Sequence, residues 1–110
     1  MAQNPKTFGE RRLELHDILI GIMNGTGKVY FQPPENVKME YPCIVYSLNT
    51  GDTSFADNIP YIKMLRWQVI YIDRNPDANV KLEILDIPRC TLDRAYTADN
   101  LNHTSFNLYF

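Results

Sequence analysis

The sequence predicts an α+β domain, with helices packed on one face of a mostly antiparallel sheet. Three observations carry that expectation. An apolar period of three and four residues runs from about Glu10 to Asn24, and strict alternation recurs in Cys43–Asn49, Tyr61–Asp73 and Ser105–Phe110. The chain has 110 residues and a mass of 12.8 kDa. Area scaling for that mass gives about 6,300 Å² folded against about 18,600 Å² unfolded, so about two thirds is buried. That suffices for one two-layer core and is too little for two.

The elements follow in order. The first nine residues, with Asn4, Pro5 and Gly9, read as a loose arm. Leu15, Ile18, Leu19 and Ile22 then share one helical face, Glu10, Glu14 and Asp17 favour the positive N-terminal half, and Gly25 supplies a stop. Gly21 costs this helix about 1 kcal/mol relative to Ala. Lys28–Gln32 reads as a strand, placed at a sheet edge because Pro33 and Pro34 close it. A loop covers Asn36–Pro42. Cys43–Asn49 is a strand with Ile44, Tyr46 and Leu48 on one face and Cys43, Val45 and Ser47 on the other. Thr50–Pro60 is polar and reads as a loop.

Tyr61–Asp73 is the longest expected strand. Lys63, Leu65, Trp67, Val69 and Tyr71 should face the helices. Ile62, Met64, Arg66, Gln68, Ile70 and Ile72 form a mixed face that is either partly wet or covered by another subunit. Asn75, Pro76 and Asp77 read as a turn and the N-cap of a helix carrying Val80, Ile84 and Ile87, stopped by Pro88. Leu92–Asn102 is ambiguous and reads as a turn plus a short helix. Ser105–Phe110 closes the chain as a strand, with Phe106, Leu108 and Phe110 on one face. The expected order is α-β-β-β-α-β.

Composition narrows the function classes. Eleven Lys and Arg face 13 Asp and Glu, a net charge of −2 that argues against electrostatic gripping of nucleic acid. No window reaches 18 apolar residues, so no membrane helix is expected, and polar Met1–Glu10 has no apolar core of a secretory signal. Gly21, Gly25 and Gly27 follow a helix rather than join a strand to one, so they do not make a nucleotide loop. No cofactor is expected.

The sequence offers few catalytic or metal-binding constellations. His16, Cys43, Cys90 and His103 could supply four zinc ligands, but they lie 27, 47 and 13 residues apart without the close pairs such sites use. Cys43, heading an apolar strand, reads as a small buried hydrophobe. Cys90 with His103 and Asp99 could form a nucleophilic group, although no local signature supports it. Asp93 and Asp99 flank a turn, where Asp is expected for backbone bonding alone. Arg11 and Arg12, beside Glu10 and Glu14, read as a solvated helix face. The expectation is no enzyme.

The segment Tyr96-Thr97-Ala98-Asp99-Asn100-Leu101-Asn102-His103-Thr104-Ser105-Phe106-Asn107-Leu108-Tyr109-Phe110 places a turn and an Asn-His pair before a terminal aromatic strand. It resembles the end of small tail-terminator (tail-completion, minor tail or minor capsid) proteins of long-tailed phages and prophages. The N-terminal amphipathic helix, the aromatic strand ending Tyr71-Ile72-Asp73-Arg74, and the Asn75-Pro76-Asp77 turn fit the same family, so the resemblance runs from about Arg11 to Phe110. It implies a small α+β domain that assembles into a ring, typically hexameric, which caps the tail tube and ends its polymerisation. The ring's partners would be other copies of itself, the tail tube protein and the head-tail connector protein. DNA would pass through the lumen without specific binding, and the slight acidity suits sliding. The implied location is the virion tail, after assembly in the host cytoplasm.

Within that frame Arg66 and Gln68 suit a subunit interface, because Arg is enriched there and the neighbouring aliphatics supply area. Phe55 and Ile59 would anchor the polar Thr50–Pro60 loop against a partner or pack on their own domain. Of the family-like residues Tyr96, Asp99, Asn100, Leu101, His103, Phe106 and Tyr109, the polar ones read as local: Asp99 and Asn100 bond turn backbone, and His103 makes one hydrogen bond near the last strand. A portal-side head-completion protein, a small hydrolase using Cys90 or His103, and a nucleic-acid-binding module are the rival readings.

Overall fold

A computed structural model describes residues 7–24, 28–49 and 65–110. Phe55, Ile59 and the start of the expected third strand, residues 61–64, lie outside them. Helix α1 (Phe8–Met23) comes first, then strands β1 (Lys28–Phe31), β2 (Cys43–Leu48) and β3 (Arg66–Asp73). Helix α2 (Val80–Leu85) and strands β4 (Cys90–Ala98) and β5 (Leu101–Tyr109) follow. The fold is α+β, with one five-stranded sheet ordered β1-β2-β3-β5-β4. β1 runs parallel to β2 and every other pair is antiparallel. Among the described residues, no helix is long and apolar enough to cross a membrane.

α1 begins earlier than its apolar period suggests. Thr7 is the N-cap: its hydroxyl accepts from Glu10 N at 3.1 Å while the Glu10 carboxylate accepts from Thr7 N at 3.3 Å. That capping box satisfies donors the first turn leaves open, so Thr7, Phe8 and Gly9 belong to the helix and not to a loose arm. At the other end Asn24, at φ 52°, takes the left-handed position expected of Gly25 and donates to the Ile20 and Gly21 carbonyls.

One face of the sheet makes the core. Leu15, Leu19 and Met23 of α1 and Ile84 of α2 are buried against Ile44, Tyr46, Trp67, Val69, Tyr71, Phe106 and Leu108. The alternation expected in β2, β3 and β5 is therefore the alternation observed. Ile18, expected in the apolar stripe, is exposed at its margin. β1 is an edge strand, as Pro33 and Pro34 suggest.

Two further readings are corrected. Leu92–Asn102 holds no helix: Cys90–Ala98 is strand β4, paired to β5 through a two-residue turn. The order is thus α-β-β-β-α-β-β. Asn75-Pro76-Asp77 is a turn but does not cap α2, whose N-cap is Asn79 without a side-chain bond. The Asn75 side chain accepts from Asp77 N at 3.0 Å, and Asp73 accepts from Asn75 N at 3.1 Å, so these carboxamide and carboxylate groups are spent inside the turn.

Candidate functional site: the outer sheet face

The face of the sheet turned away from the helices divides into two halves. At the end nearest the β4–β5 turn, Cys43, Ile72 and Leu101 are buried, and Tyr30, Met39, Tyr41, Val45 and Ile70 pack around them. Met39 and Tyr41 come from the β1–β2 connection, which folds back over this half. Arg74 stacks its guanidinium 5.7 Å from the Tyr41 ring centre and extends the cover. The Cys43 thiol is pushed up to about 11 by burial first and by the Asp73 charge second. Cys43 is the small buried hydrophobe its strand position suggests.

The other half is polar. Register aligns Ser47, Gln68, Asn107 and Thr91 in one row across β2, β3, β5 and β4. The next row holds Asn49, Arg66 and Tyr109: Asn49 N donates to the Arg66 carbonyl at 2.8 Å, and Arg66 pairs with Tyr109. The Arg66 guanidinium reaches the Asn49 side-chain oxygen at 3.5 Å. All of these except exposed Thr91 are half-buried. Arg66 and Gln68, singled out in the sequence, therefore stand side by side with Tyr109, Asn107 and Ser47.

The family-like residues separate. Asp99 and Asn100, at φ 55° and 64°, are the two central residues of the β4–β5 turn. Positive φ at both positions matches the twist of a tight hairpin, and Asp and Asn tolerate it. His103 donates from Nδ1 to the Leu101 carbonyl at 3.1 Å. Its ring stacks on Tyr96, directly opposite on β4, with centres 4.8 Å apart, and Arg94 lies 4.9 Å over Tyr96. Phe106 points the other way, into the core, and Leu101 joins the small outer cluster.

The weighed chemical constellations come apart in space. Cys90 opposes Leu108 and His103 opposes Tyr96, five residues or roughly 17 Å along β5. They also face opposite sides of the sheet. Burial pushes the Cys90 thiol up to about 11, away from the thiolate a nucleophile needs. Asp93 is spent as well, accepting from Ser105 Oγ at 2.8 Å at the β4 bulge. His16 lies beneath α1, hydrogen bonded through Nδ1 to Tyr46 Oη at 2.7 Å. Among the described residues, no group of three His, Cys, Asp or Glu could hold a metal ion.

Sequence reasoning missed one polar group under the helix. Arg12, expected on a solvated face, is half-buried, 4.6 Å from the Phe31 ring centre and 3.5 Å from Tyr46 Oη. Tyr46 is fully buried, and burial raises its pKa against the lowering bond from Arg12. Arg12 and His16 stand four residues apart, one turn of helix, and that spacing was the available signal.

No family model, curated protein or solved structure matches the chain.

Proposed function

We propose that this protein is a structural subunit of a tail-terminator ring, which caps a phage tail tube, ends its polymerisation and presents a surface to the head-tail connector. One observation carries the reading beyond the resemblance of its last 15 residues: the polar half of the outer sheet face. There Arg66, Gln68, Asn107 and Tyr109 form a half-buried band across paired strands, bordered by the apolar Val45 and Ile70. Arg and Tyr beside aliphatic area make the composition of a protein contact, and regular strands hold it in a fixed shape. Such a composition suits a protein partner better than a small-molecule substrate. The slight acidity of the chain, a net charge of −2, suits a lumen through which DNA slides.

Removing the protein from a phage or prophage that encodes it tests the reading. The expected result is tails of uncontrolled length that fail to join heads, scored by electron microscopy. Tails of normal length that join normally would sink it. Capture of the portal-side adaptor instead of the tube protein would move the protein to the head side of the joint.

A further inference from the structure

The sheet has two edges, and they are finished differently. β1, at one edge, is four residues long and runs on towards Pro33 and Pro34, which have no N–H to offer a further strand. β4, at the other edge, is nine residues long, and among the described residues nothing pairs with its far side. The two-residue turn fixes which of its backbone groups are taken. Ala98 and Leu101 flank that turn as a hydrogen-bonded pair, so Ala98, Tyr96 and Arg94 direct their N–H and C=O groups to β5. Thr97 and Ala95 alternate with them and turn theirs outward.

An open row of that kind is a template for a strand from another chain. Apolar side chains accompany it. Leu92, 57% exposed, and Ala95, also exposed, both lie on the helix-side face of this edge, opposite Phe106 and Thr104. A long edge with outward backbone groups and uncovered apolar residues is an association hazard unless something blunts it.

The middle of β4 is not straight. Its ladder to β5 steps from Leu92↔Phe106 to Arg94↔Ser105, so Asp93 is an extra residue and two residues stand opposite one. The extra residue is pinned in place: the Asp93 carboxylate accepts from Ser105 Oγ at 2.8 Å, and Ser105 is only 1% exposed. Arg94 is held next to it, with its guanidinium 4.9 Å from the Tyr96 ring centre. A bulge bends its strand and increases the local twist, which takes the outward groups out of the row a second strand needs. An incoming strand would also have to strip water from these two charged side chains.

We propose that the Asp93 bulge is an edge guard, a device that keeps β4 from pairing with a strand of another chain. The inference stands on the backbone topology of one copy and does not depend on the ring reading. Deleting Asp93 tests it, because Leu92↔Phe106 and Arg94↔Ser105 are already the pairs of a regular ladder and no other residue changes face. Ser105→Ala is combined with the deletion, since the buried hydroxyl would otherwise lose its acceptor. Circular dichroism and a cooperative melt establish that the variant folds. Light scattering behind size exclusion is then expected to give it at least twice the mass of the unaltered protein at equal concentration. Adding Thr97→Pro is expected to restore the unaltered mass, because that proline removes an outward N–H and leaves the bonds to β5 in place. A folded deletion variant with the unaltered mass at every concentration overturns the inference, as does an association that Thr97→Pro fails to reverse.

A second measurement needs no variant. Amide exchange in the concentrated unaltered protein, followed by NMR, is expected to be fast at Ala95 and Thr97 and slow at Arg94 and Tyr96. Protection at Ala95 and Thr97 would show an edge already paired and would overturn the inference even where the deletion variant does not fold. The tail-length experiment decides the ring function separately.

Discussion

The two faces of this sheet are built from the same strands, residue by residue in alternation, yet they end in different states. The helix-side face is closed. Phe8, Phe31 and Tyr46 surround Trp67 at centre distances of 5.5, 6.2 and 6.0 Å, and Trp67 and Tyr46 are fully buried. The outer face is finished only at the end where Met39 and Tyr41 fold over Cys43, Ile72 and Leu101. Its other end stops at a half-buried polar band. Among the described residues no second layer covers that end, and a sheet face left without one cannot be wholly apolar in water, which accounts for the polar band.

The largest expected effect lies on the closed face. Trp67→Ala removes the centre of the aromatic cluster and leaves a cavity among Phe8, Phe31 and Tyr46, at a cost of about 3–5 kcal/mol. Urea unfolding of the variant should show a much lower midpoint. A shift no greater than that of an outer-face variant would mean the faces are not different in kind.

The second effect probes how dry each face is, through Cys43 under the covered end of the outer face and Cys90 on the helix-side face. Cys43 and Cys90 both titrate near 11 in the folded chain against 9.0 as free groups, through burial first. Burial likewise raises the pKa of Tyr71, which also donates to Asp73 at 2.6 Å. Between pH 9 and 11 the unfolded chain loses these protons first. The stability associated with the neutral thiols is therefore fully present below pH 9 and falls as pH rises through 11, by an amount on the order of 2 kcal/mol per thiol. Urea midpoints under reducing conditions should be flat to pH 9 and then decline. The C43A/C90A variant should decline less steeply, and an equal slope would remove the thiols from the account.

The third concerns the turn that joins β4 to β5. Asp99→Val places a β-branched side chain at φ 55°, where the cost is about 1–2 kcal/mol. Asp99→Gly should cost far less, and comparing the two melting curves separates backbone strain from loss of the carboxylate.

These elements also show where the sequence was legible. Strands β2, β3 and β5 each have one face in the core, so apolar alternation marks them and their boundaries fall within a few residues of the expectation. Strand β4 is an edge strand, and much of it is open to water: Leu92 is 57% exposed and Ala95 is exposed. Without a buried face there is little alternation to read. The bulge at Asp93 adds to the confusion, because it puts Leu92 and Ala95 on the same side three residues apart, a helical spacing. The Asp99-Asn100 pair between two nine-residue segments was the signal that could have found the hairpin. The Thr7-Phe8-Gly9-Glu10 capping box was equally legible, but it lies outside the apolar period that marks the helix. For the candidate site, alternation located Arg66 and Gln68 on the outer face. Their row partners Ser47, Asn107 and Tyr109 required the strand order, which no local pattern contains.

The smallest effect on stability is the sharpest test of the two-face comparison. Gln68 and Val69 are adjacent in β3, share its backbone geometry and differ only in the face they address. Val69→Ala empties part of the closed core and should cost roughly 2 kcal/mol. Gln68→Ala removes a half-buried amide from the open band and should change monomer stability by no more than about 0.5 kcal/mol. If the open face is a contact, however, the same Gln68→Ala change weakens association of the folded protein, whereas Val69→Ala leaves association of its folded fraction unchanged. Urea midpoints and concentration-dependent light scattering on both variants give the four numbers required. Stability and association moving together in both variants would show one continuous core rather than a closed face and a waiting one.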